Sequence, residues 1–290
     1  TNFIFSYLYL PYRIDYGLAV FKTSDDIIYY FSNEDLYRRL TEREFGLYFL
    51  FRYPLNKYFR IEYDQAIYEY QKDWDLWDET NGNWQDINLK KVLNYSPAFS
   101  IVYDNALYGS TGPVSGIKAY YTIKKNFSEK DFQYLTQYTD IRTYSALNEN
   151  FSLANRFIFG HSQGANPQQF NLLGFNGVRG NESDHEGNIK ALSSLELRYP
   201  FVDYLKLGFP LPMTLGDIRG SVFTDLGAVW DSKDKFQGFH HGKLQDLTLG
   251  FGFGPRMNIG YFVIKLDVAW KSDLINHGKP SYYFSINQDF

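Results

Sequence analysis

The chain has 290 residues, no cysteine and a formal net charge of −4. Without cysteine there is neither a disulfide framework nor a thiolate metal site, and a mildly acidic total with no arginine-lysine block gives nucleic acid no electrostatic footprint. Aromatic residues reach 20%, yet no apolar run approaches the roughly 18 residues that a membrane-crossing helix needs, so the composition favours strands.

Residues 2–10 are apolar on both faces. In 12–21, Tyr12, Ile14, Tyr16, Leu18 and Val20 share one face and Arg13, Asp15, Gly17 and Ala19 the other, and this period of two predicts a strand. Residues 26–32 extend it or form another. In 43–53, Phe45, Leu47, Phe49, Phe51 and Tyr53 oppose Glu44, Gly46, Tyr48 and Arg52. A turn over 54–57 leads to 58–70, where Phe59, Ile61 and Tyr63 oppose Arg60, Glu62 and Asp64. Residues 71–88 are polar, with Gly, Asn and three tryptophans, and predict a long exposed loop. Strands follow near 92–104, 115–125, 130–146 and 150–161, then a glycine-studded loop over 162–187.

Beyond that loop the alternation is clearest. Leu195, Leu197 and Tyr199 oppose Ser194, Glu196 and Arg198; Val222, Thr224 and Leu226 oppose Ser221, Phe223 and Asp225. Leu249, Phe251 and Phe253 oppose Gly250, Gly252, Gly254 and Arg256; Ile264, Leu266 and Val268 oppose Lys265 and Asp267. The final stretch, 282–290, sets Tyr282, Phe284, Ile286 and Phe290 on one face. A greasy face opposite a charged one fits a soluble sandwich or a membrane barrel whose polar face lines the lumen. Strands of about ten residues, with short turns at one end and long polar loops at the other, favour the barrel. No linker divides the chain, which reads as one barrel domain over 1–290 with 162–187 as a loop inside it.

Gly160-His161-Ser162-Gln163-Gly164 matches the G-x-S-x-G nucleophile elbow. An elbow needs a helix after it, and Pro167 with the polar stretch around it argues against one. The three glycines at 250, 252 and 254 fall on one face of a strand, where they serve close packing or curvature of a wall. His240-His241 reads as a solvated pair. No catalytic residue, metal or cofactor is expected, and no small-molecule substrate. Arg179 differs, because glycines at 174, 177 and 180 let its loop approach other backbone. A loop entering the lumen would bring it to Asp225 or Glu196, and a buried guanidinium requires such a partner.

Gln169-Phe170-Asn171-Leu172-Leu173-Gly174-Phe175-Asn176-Gly177-Val178-Arg179-Gly180-Asn181 resembles the F-x-x-G-G-x-x-S-V-R-G-Y lumenal-loop motif of the BamA-like superfamily of outer-membrane insertases and secretion pores. Residues 195–201, 222–231 and 259–270 are similar to strands of that family, and Phe290 to an outer-membrane targeting end. The chain departs from the pattern at Asn176-Gly177, Asn181 and Gln288. The resemblance implies an all-β, antiparallel transmembrane barrel of the 16-stranded type, about 13–14 of whose strands lie in this chain. It further implies either that two or three strands and periplasmic modules precede residue 1 or that the barrel is smaller than the family's. Val178, Arg179, Gly180 and Asn181 would form the loop tip, and Glu196 and Asp225 its wall partners. Tyr282, Phe284, Ile286 and Phe290 would form one side of a seam between the first and last strands, where client strands add. The expected partners are membrane lipid and other envelope or client outer-membrane proteins. A pore or an anchoring subunit of an envelope complex is the alternative.

Overall fold

The structure, a computed structural model, describes residues 2–10, 13–31, 36–78, 83–128, 133–208, 212–260 and 262–286. Up to the long loop the strands are β1 Phe3–Tyr9, β2 Asp15–Phe31, β3 Leu36–Pro54, β4 Phe59–Asp78, β5 Asn83–Asp104, β6 Leu107–Gly109, β7 Gly112–Ser128, β8 Tyr134–Ala146 and β9 Ser152–Gly164. After it come β10 Ile189–Leu207, β11 Met213–Trp230, β12 Phe239–His240, β13 Lys243–Leu244, β14 Leu247–Asn258, β15 Val263–Ser272 and β16 Ser281–Ile286. Among the described residues they make one 14-stranded sheet in the order β1-β2-β3-β4-β5-β7-β8-β9-β10-β11-β14-β15-β16, with β6 on β7 and a separate β12–β13 hairpin. Contacts group the chain into two compact units, Thr1–Ile101 with Thr122–Thr136 and Gln163–Pro167, and Val102–Tyr121 with Gln137–Ser162 and Gln168–Phe290.

Within the second unit the alternation is inside-out relative to a soluble protein. Asp225 and Ser221 of β11 are fully buried, while Val222 between them is 50% exposed. On β14, Arg256 is 1% exposed and Phe253 is 52% exposed. Glu196 and Arg198 of β10 are buried and Leu195 is not. Register aligns these rows across strands, with Val222 beside Leu197 and Phe253, and Asp225 beside Ser194 and Gly250. A soluble sandwich buries its apolar face, so this pattern selects the membrane arrangement.

The first unit follows the same rule. Tyr16, Leu18, Phe49 and Phe51 are exposed, and Gln65, Asn94, Ser96 and Asn126 are buried. The buried amides satisfy one another: Asn126 donates to Asn94 at 2.9 Å and also meets Ser96. Strands β2 to β5 run 17, 19, 20 and 22 residues, whereas crossing a bilayer takes about 9–11. The surplus extends the hairpins beyond the apolar zone. This corrects the expected loop over 71–88, where β4 continues to Asp78 and β5 begins at Asn83. Ladder pairs such as Leu40↔Trp74 and Arg38↔Leu76 hold the backbone there. Outside lipid a strand needs no apolar face, so polar composition alone misreads it. Pro200 lies inside β10, and the register shifts between Pro200 and Val202 because proline brings no N–H to the ladder.

Placing a cation on the outer face tests this assignment. Val222→Arg is expected to destabilise the folded barrel by about 2–4 kcal/mol near the bilayer midplane, measured by urea titration in lipid vesicles. On a water-facing sheet the same change stays within about 0.5 kcal/mol.

Candidate functional site: a loop pinned to the polar face

The chain leaves β9 through Ser162, whose hydroxyl accepts the Gln168 N–H at 2.9 Å and whose N–H donates to the Asn188 carbonyl at 2.8 Å. Asn188 Nδ2 donates back to the Ser162 carbonyl at 2.9 Å. No helix follows Ser162; irregular chain runs to a single 3-10 turn at Gly174–Asn176. The G-x-S-x-G serine is thus a clamp at the base of the loop. A bridge between Phe170 and Gly187 closes the base further, and Phe170 stacks on Tyr138 with ring centroids 6.3 Å apart.

Two apolar side chains carry the loop onto the sheet. Leu172 and Val178 pack with Ile158 of β9, Leu192 of β10 and Val229 of β11 in a buried cluster. On the far side Lys190 donates to the Asn176 carbonyl at 3.0 Å. Nearby, the fully buried Asp140 accepts from Arg156 at 2.7 Å, Arg142 at 3.0 Å and the Tyr120 hydroxyl at 3.1 Å.

Arg179 is the centre of the site. Its Nε and Nη2 donate to the two oxygens of Asp225 at 2.8 and 2.9 Å, a bidentate fork, and its backbone N–H adds a third bond to the same carboxylate at 3.1 Å. Nη1 reaches Asp267 of β15 at 3.2 Å and Glu196 of β10 at 3.3 Å. The guanidinium lies over the Phe223 ring, with Cζ 3.3 Å from its centroid. Arg256 bonds Asp267 at 2.5 Å and Glu196 at 3.2 Å, and Arg198 bonds Glu196 at 2.9 Å. Three buried guanidinium groups therefore meet three buried carboxylates.

Space for the loop tip comes from Gly250 of β14. A methyl group at Gly250 would sit 2.1 Å from the Arg179 carbonyl oxygen, and one at Gly252 2.6 Å from the Phe223 ring. The structure brings Val178, Arg179, Gly180 and Asn181 together with Glu196 and Asp225. It adds Asp267, Arg256, Arg198 and Phe223, whose polar-face positions are visible in the alternation but whose level along the strands is not. Tyr282, Phe284 and Ile286 lie on the exposed face of β16, away from this cluster. Phe290 lies outside the described residues.

A second segment reaches the same charges. Chain 105–113, carrying β6, folds over the polar face so that the Pro113 carbonyl accepts from Arg198 at 2.9 Å. Ser110 in this segment meets Asp217 of β11 and Asn258 of β14. Strand rhythm contains no signal for this crossing.

Arg179→Ala leaves the carboxylates underpaired, and a loss of about 3–5 kcal/mol is expected in urea titration of the vesicle-embedded protein. Gly250→Ala keeps every charge yet places its methyl against the Arg179 carbonyl. It is expected to lose about 1–3 kcal/mol in the same titration, and an unchanged midpoint would refute the close approach.

The Omp85 superfamily domain matches residues 3–290. No curated protein sequence matches. Among solved structures, BamA from Haemophilus ducreyi lacking POTRA domains 1–3 superposes with a TM-score of 0.68 at 15% identity, covering 98% of this chain and 61% of that one. CdiB from Acinetobacter baumannii gives 0.64 at 13% identity, covering 98% and 49%, and CdiB from Escherichia coli 0.64 at 14%, covering 98% and 52%. The chain spans between 49% and 61% of the length of these solved chains. With the inside-out strands and the loop pinned to their polar face, the match assigns the chain: it belongs to the Omp85 superfamily and is an outer-membrane β-barrel of the BamA type.

Proposed function

We propose that this barrel assists the insertion of proteins into the outer membrane or their translocation across it, with no covalent chemistry. The observation that carries the reading is the Arg179 cluster. A buried salt bridge is weak evidence of stability, because desolvation offsets most of its Coulombic gain. Its use here is positional: it fixes a long loop on the polar face against β10, β11 and β15, which supports a lumenal loop. The same loop runs on to β16, the last strand in the sheet order.

In this reading Val178, Arg179, Gly180 and Asn181 form the tip, and Glu196 and Asp225 anchor it to the wall. β16 is the receiving edge. It presents Tyr282, Phe284 and Ile286 to lipid, and a client strand adds along its backbone by β-augmentation. The residues 162–187 act as one lumenal element of a barrel domain over 1–290. The partners are membrane lipid and client or neighbouring envelope proteins.

A photo-cross-linking residue in place of Ser285 of β16 tests this in the full-length protein in its own membrane. Adducts with unassembled outer-membrane or secreted chains are expected. A folded barrel that yields no adduct, and whose depletion leaves outer-membrane protein levels unchanged, makes it a pore or an anchor instead.

A further inference from the structure

β16 is held to β15 by a ladder from Ile264↔Ile286 to Ala269↔Ser281. Its two faces have different surroundings. Tyr282, Phe284 and Ile286 are 77%, 61% and 52% exposed. Tyr283, between them, turns to the polar face, where it stands across the ladder from Asp267, a carboxylate of the Arg179 cluster.

The loop reaches this strand immediately after Arg179. The Gly180 N–H donates to the Tyr283 hydroxyl at 2.8 Å. Lys271 of β15 donates to the Asn181 side chain at 2.9 Å. The Ser281 hydroxyl donates to Glu182 at 2.8 Å. Three consecutive loop residues thus touch the last two strands, directly beyond an arginine fixed to β10, β11 and β15. The approach is tight. Gly180 has φ +90°, and a Cβ there would lie 2.7 Å from backbone atoms of Trp270 and Lys271. Only glycine combines that left-handed backbone with that clearance.

We propose that Tyr283 and Ser281 form a latch by which the lumenal loop holds β16 in the wall, so that the strand loosens only when these two bonds release. Tyr283 is the principal positioning residue. Its partner is a backbone N–H in a partly buried place, which is left unpaired when the hydroxyl goes, whereas Ser281 and Glu182 share an exposed bond that water can replace. Arg179 sets the loop, and the loop sets the last strand. The consequence for client entry rests on the reading of β16 as the receiving edge.

Amide hydrogen exchange of the full-length protein in lipid nanodiscs tests the latch without any client. Tyr283→Phe removes one oxygen and keeps the ring. It is expected to speed exchange across 281–286 on the order of tenfold, and Ser281→Ala about twofold, while β10, β11 and β14 stay at wild-type rates. Gly180→Ala is expected to match Tyr283→Phe, since it displaces the donor of the same bond. Unchanged exchange in β16 overturns the latch. So does an equal rise in β10, β11 and β14, which marks general loosening. Cross-linking at position 285 separates the two readings: faster β16 exchange with client adducts at the wild-type level sinks the receiving-edge reading while supporting the latch.

Discussion

The structure depends on burying one guanidinium. Arg179 is surrounded by protein on all sides, and an arginine cannot escape by losing its proton. The charge has to be matched where it sits, and three strands supply the match: Asp225 from β11, Glu196 from β10 and Asp267 from β15. Those carboxylates would be equally costly without cations, so Arg256 and Arg198 complete the balance. The cluster works as a register key. It accepts the loop at one depth and in one orientation, because the fork to Asp225 and the close contact over Phe223 leave the guanidinium little freedom.

A charged cluster at this position requires the rest of the sheet to be inside-out. Lipid takes the apolar face, so the polar face is the only surface on which a loop with an ionic tip can settle. The loop also needs volume, and β14 provides it by omission. Glycines 250, 252 and 254 lie on the polar face of one strand, beside Asp225, Phe223 and Ser221 of β11. Glycine in a strand interior loses backbone entropy and packs nothing, a cost that an unoccupied wall would not repay. Here the Arg179 carbonyl fills the missing side-chain space at Gly250, and β15 backbone with the Phe223 ring crowds Gly252. Gly250 and the arginine belong to one device although 71 positions separate them in the sequence.

Much of this was legible in the chain. The period of two marked every long strand after the loop, and it placed Glu196 and Asp225 on the face that Arg179 has to reach. Among the described residues five strands follow the loop on the main sheet path, as the alternation indicates. What alternation omits is level. It states that Asp267 and Arg256 face inward but not that they stand beside Glu196, since level is a property of the register between strands. Tyr283 was obscured differently, being an aromatic residue among aromatic neighbours whose hydroxyl finds its partner 103 positions away. The run 71–88 misled because alternation reports an apolar boundary, and hairpins longer than the membrane leave that boundary while keeping their ladder. Segment 105–113 gave no warning at all, because what it offers its partners Arg198, Asp217 and Asn258 is backbone carbonyls and one serine hydroxyl.

That segment changes what the charge cluster does. The loop 162–187 joins β9 to β10, and 105–113 joins β5 to β7, so along an antiparallel meander the two enter the polar face from opposite ends of the strands. They meet at adjacent inward positions of β10. Glu196 takes the loop through Arg179, Arg198 takes the other segment through the Pro113 carbonyl, and Arg198 and Glu196 bond each other at 2.9 Å. Each bond constrains the next. A carboxylate drawn toward Arg179 also orients Arg198, and a carbonyl held by Arg198 withdraws one of its donors from the carboxylate. Side-chain pairs two apart on a strand do not ordinarily link segments from both ends of a wall. Here they do because both are buried, both are charged, and neither has water to turn to.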